Sequence, residues 1–562
     1  IHLNITITIF GGLGLFLFGM KIMSESLQMA TGDRLRNILW KVTNNRVLGV
    51  LTGFFITSII QSSSATTVML VSFVNAGLIN LSQSIGIILG ANIGTTITGW
   101  IVAIIGFKFK ISSIALPAIA IGFFIRFAKE EKLKQWGEVL LGFGILFLGL
   151  NVMNDAVKDL RNSPSVMNFM TSYDSSTIPS TIMVVLIGTA VTMVVQSSSA
   201  TMAMTMSLAV NGLIDFTTAC ALILGDNIGT TITANIASLG ASANAKRSAR
   251  VHMLFNVLGV IWLLTVFHWL FIPFIDWLVP GNPNSSDISV RSAVIADHLA
   301  AFHTSFNVIN TLLFLPFTGF LAKIATKMVK DKKESEEMIH LKYISTVLVS
   351  MPAININEAR LEIRRMVEII ISMFDSVMDV FNNPTIKQKG VVESILMKEN
   401  NVDLLETEIS SFLVKVSQNN ISEDQSNEIT SMLHMLNELE RAGDHCVILL
   451  KLIRRKYDSN IDFSERAAKE IREIASEVRD LLELIRSNIS SRPHNILPRA
   501  RVIENRIDEL RMEMKRGHIE RLNENTCDVT TGLLFIDMLT SYEKIGDHAY
   551  NVAESISGER IF

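Results

Sequence analysis

For the first 330 positions apolar residues run in blocks of about 20, and beyond them the pattern changes to a helical rhythm set among charges. The blocks at 5–24, 83–105, 111–128, 137–157, 217–240, 251–275 and 296–325 are long enough to cross a bilayer as helices. Two further apolar segments, 46–78 and 180–213, are broken in the middle by QSSSATT (Gln61 to Thr67) and QSSSATM (Gln196 to Met202). Their arms of about 15 residues are each too short to cross alone, so the pattern predicts two re-entrant helical hairpins. An amphipathic stretch, SLQMATGDRLRNILWKV, separates the first block from the first hairpin. From about residue 340, as in Ala359-Arg-Leu-Glu-Ile-Arg-Arg-Met-Val-Glu-Ile-Ile, apolar residues recur at helical spacing with no strand-like alternation and no further spanning run. The expected fold is all-α: a polytopic membrane part followed by a soluble helical bundle.

Both parts are internally repeated. Gly90-Ala-Asn-Ile-Gly-Thr-Thr96 returns as Gly225-Asp-Asn-Ile-Gly-Thr-Thr231, at the interval of 135 residues that also separates Gln61 from Gln196. Upstream, Gly12, Gly14, Gly19 and Met23 match Gly142, Gly144, Gly149 and Met153 at an offset of 130. A register held over such distances indicates a duplication, with units near 5–128 and 137–275 and an additional final span. The corresponding boundaries are 1–135 for the first membrane repeat, 136–330 for the second with the final span, 331–350 for a linker and 351–562 for the tail. Within the tail, Glu399-Asn-Asn-Val-Asp403 matches Glu504-Asn-Arg-Ile-Asp508, and Glu440-Arg-Ala-Gly-Asp444-His445 matches Glu543-Lys-Ile-Gly-Asp547-His548. That predicts two three-helix units, near 351–457 and 464–558.

Charge sharpens this division. Of the 53 Asp and Glu in 562 residues, 13 fall in residues 1–330 and 40 in the remaining 232, so the two parts meet different solvents. The basic clusters Arg126-Lys129-Lys132-Lys134, Lys246-Arg247-Arg250 and Lys323-Lys327-Lys330-Lys332-Lys333 can all face the cytoplasm, with Lys108 and Lys110 dissenting. Each unit then has three full crossings, an odd number, and the second is inverted relative to the first, as in secondary transporters. The first block has the flanks of a true span, not those of a cleaved signal. The net charge of −3, with no basic stripe, gives no sign of nucleic-acid binding, and Cys220, Cys446 and Cys527 have neither disulfide nor zinc spacing. No nucleophile with an adjacent base, P-loop lysine or catalytic metal motif speaks for an enzyme.

A broken helix offers unpaired backbone N–H groups at the start of its second half, which attract anions. Ser62 to Ser64 and Ser197 to Ser199 add hydroxyl donors, while Gln, Asn, Thr and carbonyl oxygens suit a small hard cation such as sodium. Small residues of this kind also serve close helix packing, but duplication at one register weighs toward a site. Asp226 stands where the first repeat has Ala91; an ionisable group at such depth points to cation coordination or proton coupling, or else to a hydrogen bond with unwound backbone beside Gly225. His252-x-x-Phe-Asn256 and His303-x-x-Phe-Asn307 put His and Asn on one helical face, for polar packing between spans or for lining. In each E-x-x-G-D-H segment two carboxylates share a face, which suits a hard metal ion or a solvated acidic surface with Arg441 or Lys544 as counter-ions.

The paired QSSSAT and G-[AD]-N-I-G-T-T segments, with the His-x-x-Phe-Asn elements, resemble the type II sodium–phosphate cotransporters, in the bacterial form carrying a PhoU-like tail. The resemblance covers essentially the whole chain. It implies sodium-coupled symport of inorganic phosphate by alternating access. Phosphate would be bound by Gln61, Ser62, Ser63, Ser64, Gln196, Ser197, Ser198 and Ser199. Sodium would be bound among Gln61, Ser64, Thr66, Asn92, Thr95, Thr96, Gln196, Ser199, Thr201, Asp226, Asn227, Thr230 and Thr231. Asp226 departs from the symmetric pattern and leaves the sodium stoichiometry open. The PhoU-like tail implies a divalent or iron-type metal on Glu440, Asp444, Glu543 and Asp547, and on Glu399, Asp403, Glu504 and Asp508, with His445 and His548 as ligands or core residues. It also implies a multi-pass protein of the bacterial inner membrane, in contact with lipid, with a cytoplasmic tail, a homodimer and a regulatory partner. Export of phosphate, or sensing without transport, remains as an alternative on the same fold.

Overall fold

The first apolar block does not stop at residue 24. It runs on through the amphipathic stretch as one helix, α1 (His2–Trp40). The computed structural model describes residues 2–40, 45–75, 79–109, 112–160, 167, 175–239, 241–330, 341, 352–383, 388–418, 421–489, 496–524 and 527–558, and every regular element among them is helical. The predicted linker, apart from residue 341, and Lys110 lie outside the described residues. Two units result, Ile1–Lys332 and Lys333–Phe562.

In the first unit, α2 (Arg46–Ile60) and α3 (Ser63–Asn75) form the first hairpin, and α7 (Ile178–Val195) and α8 (Ser198–Val210) the second. Between them lie α4 (Leu81–Ile101), α5 (Ser112–Ile125) and α6 (Glu131–Leu160). After them come α9 (Phe216–Gly229), α10 (Thr231–Ala237), α11 (Ala243–Val266), α12 (Ile272–Leu278), α13 (Ile288–Phe314) and α14 (Thr318–Met328). Side-chain caps start many of these helices where the sequence supplies Asn, Thr, Asp or Ser: Asn45 for α2, Asn80 for α4, Thr177 for α7 and Asp215 for α9.

Six described stretches are long and apolar enough to cross a membrane: Ile5–Ala30, Leu81–Gly106, Lys132–Leu160, Ile178–Val195, Ala243–Leu278 and Ile288–Met328. Three expectations change. The block at 111–128 forms only the 14-residue α5, with Pro117 inside it. The block at 217–240 is interrupted at Thr230, where the hydroxyl bonds back to the Asp226 carbonyl (2.8 Å). The first arm of the second hairpin, α7, reaches 18 residues because Thr177 and Ser180 form a reciprocal cap with a proline in the first turn.

Helices α1 and α6 pack backbone to backbone, antiparallel, along a seam of glycines. A Cβ on Gly12 would lie 2.9 Å from the Gly149 carbonyl oxygen, and one on Gly19 would lie 2.6 Å from that of Gly142. Lys108, against the charge rule, is neutralised by Asp297 of α13 at 2.5 Å.

The second unit has three helices, α15 (Pro352–Asn382), α16 (Gln388–Ser417) and α17 (Glu423–Asp458), then three more, α18 (Glu465–Asn488), α19 (Ile496–Asn523) and α20 (Val529–Ser557). On α15 the predicted stripe is the core face: Ile356, Ala359, Ile363, Met366, Val367, Ile370, Phe374 and Val377 are all buried. Phe374 meets Tyr542 of α20 edge to face, ring centroids 6.0 Å apart.

Candidate functional site

Each QSSS motif breaks its helix in the same way. Gln61 (φ 58°) and Gln196 (φ 55°) adopt the left-handed conformation, which is rare and costly for a side chain other than glycine. The Gln61 N–H still donates to the Thr57 carbonyl and the Gln196 N–H to that of Thr192, both at 2.7 Å. The first serine then caps the new helix: the Ala65 N–H donates to Ser62 Oγ (3.1 Å) and the Ala200 N–H to Ser197 Oγ (3.3 Å). The first amides of α3 and α8, Ser63–Ser64 and Ser198–Ser199, lack carbonyls one turn back in their own helix. These are the helix-start amides that the sequence predicts at each break.

The threonine and asparagine positions are equally duplicated. Thr66 and Thr201 donate to the Ser62 and Ser197 carbonyls, Thr95 to that of Ala91 and Thr96 to that of Ile93, while Thr231 donates to that of Ile228. Each hydroxyl is thereby oriented with acceptor lone pairs to spare. Asn92 and Asn227 send their amide N–H back to Ile88 and Ile223 (both 2.8 Å). Their Oδ1 atoms accept from Asn256 (3.1 Å) and Asn307 (3.4 Å), so the two His-x-x-Phe-Asn elements attach to the two G-x-N-I-G-T-T elements. His252, Asn256, His303 and Asn307 are all buried.

Side chains then part company. Gln61 is buried, its amide donating to the Ser58 carbonyl and its Oε1 accepting from Thr98 (3.0 Å), whereas Gln196 is exposed. Thr57 donates to Thr66 Oγ1, while its counterpart Thr192 donates to Asp226 Oδ1, each at 3.1 Å. Asp226 is 1% exposed and sits within the helical turns of α9, so its partner is a hydroxyl and the backbone around it is not unwound. The first break also reaches the second repeat: Ser64 Oγ lies 3.2 Å from Thr233 Oγ1 on α10. Thr57, Thr98, Thr192 and Thr233 are hydrogen-bonded neighbours of the motifs that motif reading missed, although Thr57–Thr192 and Thr98–Thr233 obey the same interval of 135.

In the tail, Glu504, Asp508 and Asp547 bring one carboxylate oxygen each within 4.8 Å of one another. An all-oxygen set at this spacing fits a hard cation. Burial, then the charges of Asp508 and Asp547, hold Glu504 above the ordinary carboxylate range. Glu543 is raised by burial and Asp547 but engaged by Arg511 at 3.1 Å, and Asp547 by Lys544 at 2.8 Å. In the other set Glu399, Asp403 and Glu440 are raised by burial and by one another's neighbourhood, Asp444 included, with Glu406 as an unforeseen contributor. His445 and His548 stack on each other with centroids 5.6 Å apart, and His548 Nδ1 meets Glu438 at 2.9 Å. Burial, then the His548 charge, pushes His445 below the usual imidazole range.

The Na+/Pi-cotransporter family matches residues 15–155 and 167–270, and the PhoU domain matches 363–453 and 471–556. The "Putative inorganic phosphate export protein YjbB" of Salmonella typhimurium is 24% identical over 547 residues, which cover 96% of this chain and 95% of that protein. The uncharacterised YqeW of Bacillus subtilis is 30% identical over 320 residues, 56% of this chain and 96% of its own length. The sodium-dependent phosphate transport protein 2A of Rattus norvegicus is 38% identical over 97 residues, 17% of this chain and 15% of its own.

Proposed function

We propose a sodium-coupled phosphate symporter, because the chain belongs to the Na+/Pi-cotransporter family and carries a PhoU domain. Phosphate is bound by the serine-capped starts of α3 and α8, through backbone amides and Ser63, Ser64, Ser198 and Ser199, with Gln61 and Gln196 turning the chain into each site. Sodium is held by neutral oxygens of Asn92, Thr95, Thr96, Asn227, Thr230 and Thr231, with Thr66 and Thr201 near the breaks and Asp226 as the one formal counter-charge. The observation that carries this reading is the Ser64–Thr233 contact, since it ties the first QSSS motif to α10, the helix that starts at the last residue of the second G-D-N-I-G-T-T motif.

The antiparallel seam of α1 and α6 supports inverted repeats: equivalent glycines of the two repeats, Gly12 and Gly142, face the swapped partners Gly149 and Gly19. A two-fold axis lying across those helices produces that exchange, and alternating access then rocks one repeat against the other. The tail lies in the cytoplasm and reports phosphate status, with a divalent or iron-type ion on Glu504, Asp508 and Asp547 fixing α19 to α20. A second reading, export, is favoured by the name of the relative that spans 95% of its own length with this chain.

Uptake of labelled phosphate into proteoliposomes under imposed sodium gradients tests the proposal. Uptake that follows the inward sodium gradient is expected. Flux indifferent to sodium removes symport, flux only against the gradient leaves export, and binding without flux leaves a sensor.

A further inference from the structure

A cavity of about 340 Å³ opens between α1, α2, α4 and α6. Its lining includes Met20 and Phe143, the buried Gln61 and Thr98, and Trp136, which is 44% exposed. The polar groups of Gln61 and Thr98 are already satisfied, because Thr98 donates to Gln61 and Gln61 donates to Ser58. The wall is therefore apolar in effect, and such a cavity stays dry and takes an apolar guest. Helices α1 and α6 are spanning stretches, so the solvent beside the cavity is the bilayer.

The charges beside that opening select the lipid. Residues 126–134, which lead into α6, carry Arg126, Lys129, Lys132 and Lys134 against Glu130 and Glu131, and Lys129 and Lys132 are exposed. Arg126 is held by Glu138 at 2.7 Å, and Lys21 of α1 by Glu25 at 3.8 Å, so Lys129 and Lys132 are the cations turned to solvent. A tryptophan one turn inside a basic helix start marks the headgroup level of a membrane. From Trp136 to Phe147 α6 rises about 16 Å, a depth suited to an acyl chain.

We propose that this cavity seats one acyl chain of an anionic phospholipid, with the headgroup at Lys129 and Lys132 and the chain end against the Gln61–Thr98 hinge of the first hairpin. The occupant braces that hinge and stabilises the conformation in which the Gln61–Thr98 bond is closed. Gln61 of the first break lines the cavity and no residue of the second break does, so the lipid acts on the first break. The seat rests on the spanning of α1 and α6 and not on phosphate or sodium; a protein that moved no phosphate would leave it standing.

The test uses the full chain in vesicles containing lipids brominated on the acyl chain. Subtracting the fluorescence of Trp136→Phe isolates Trp136, and quenching by brominated phosphatidylglycerol is expected to exceed that by brominated phosphatidylcholine at equal mole fraction. Lys132→Ala is expected to reduce this preference about fivefold. Ile59→Phe with Ile101→Phe, which fills the cavity from two further lining positions, is expected to abolish both the preference and the rise in thermal midpoint that phosphatidylglycerol gives the native protein. Equal quenching by the two lipids overturns the proposal. So does an unchanged preference in the filled protein; if that variant does not fold, the Trp136 and Lys132 measurements decide alone.

Discussion

The two QSSS breaks share a backbone and differ in chemistry. Both turn at a left-handed glutamine, both cap the next helix with the first serine, and both present the same row of threonines. Yet the first glutamine is locked into Thr98 and Ser58 while the second is exposed, and the threonine preceding each break addresses Thr66 in one case and Asp226 in the other. Duplication thus preserved what shapes the chain and released what carries charge. The tail repeats the lesson: among the described residues only Glu504, Asp508 and Asp547, all of its second unit, converge closely enough to share an ion.

The strongest test of the shared part is steric. A Cβ on Gly90 would lie 1.9 Å from the Val50 carbonyl oxygen, and one on Gly225 would lie 2.1 Å from that of Val185. Backbone cannot yield as a side-chain tip can, so Gly90→Ala and Gly225→Ala should each cost about 3 kcal/mol or more and strip folded protein from detergent extracts. Size-exclusion yield and thermal midpoint measure this. If one variant is tolerated and the other is not, the two hairpin seats are not equivalent.

The unshared part is tested at Asp226. Asp226→Ala removes the buried carboxylate that Thr192 addresses, so sodium-driven uptake should fall more than tenfold, equivalent to about 1.4 kcal/mol. The sodium dependence should also become less steep. The reverse change, Ala91→Asp, places a carboxylate in the fully buried equivalent position and should not restore coupling, because Thr57 is engaged by Thr66. Unchanged sodium affinity and steepness in Asp226→Ala would remove the charge from the coupling site.

The tail offers a pH test of its own asymmetry. Glu504 is raised by burial and by Asp508 and Asp547, so the ion-free domain binds its proton more readily than the unfolded chain does. That contribution to stability is present in acid and fades as pH climbs through the raised value. A bound cation replaces the proton, so the stabilisation given by added manganese or zinc should be larger at pH 7 than at pH 5. Glu504→Gln with Asp508→Asn should abolish most of it, and Glu399→Gln with Asp403→Asn should remove less. Thermal midpoints of the full protein with the metal or with a chelator decide, and equal losses would make the two sets equivalent.

Much of this was legible in the letters because duplication converts spacing into geometry. The breaks, the G-x-N-I-G-T-T partners and the apolar stripe of α15 follow from offsets and from helical period. What the sequence hid were matters of length and rotamer. A reciprocal cap at Thr177 lengthened α7, and Pro117 sits within the short α5 that replaced a predicted span. Local hydrogen bonding, not hydrophobicity, decides such ends, so a scan for apolar runs misses them. Thr57, Thr98, Thr192 and Thr233 were missed for another reason: a single Thr inside an apolar run carries no motif, and only the interval of 135 connects the pairs.

The smallest effect is the most discriminating. Glycine adopts the left-handed conformation without the steric penalty that Gln61 and Gln196 bear, so replacing either should recover about 1 kcal/mol of backbone strain, less glycine's greater loss of freedom on folding. At position 196 the side chain is exposed, and Gln196→Gly should leave the thermal midpoint level or slightly raised. At position 61 the same change also removes the acceptor for Thr98 and a buried amide, a loss of about 1 kcal/mol for each hydrogen bond that lowers the midpoint. Opposite signs at two positions with the same backbone angles isolate the side-chain difference. Equal shifts would mean that the Gln61–Thr98 bond contributes nothing to the first break, and the distinction between the halves would then rest on Asp226 alone.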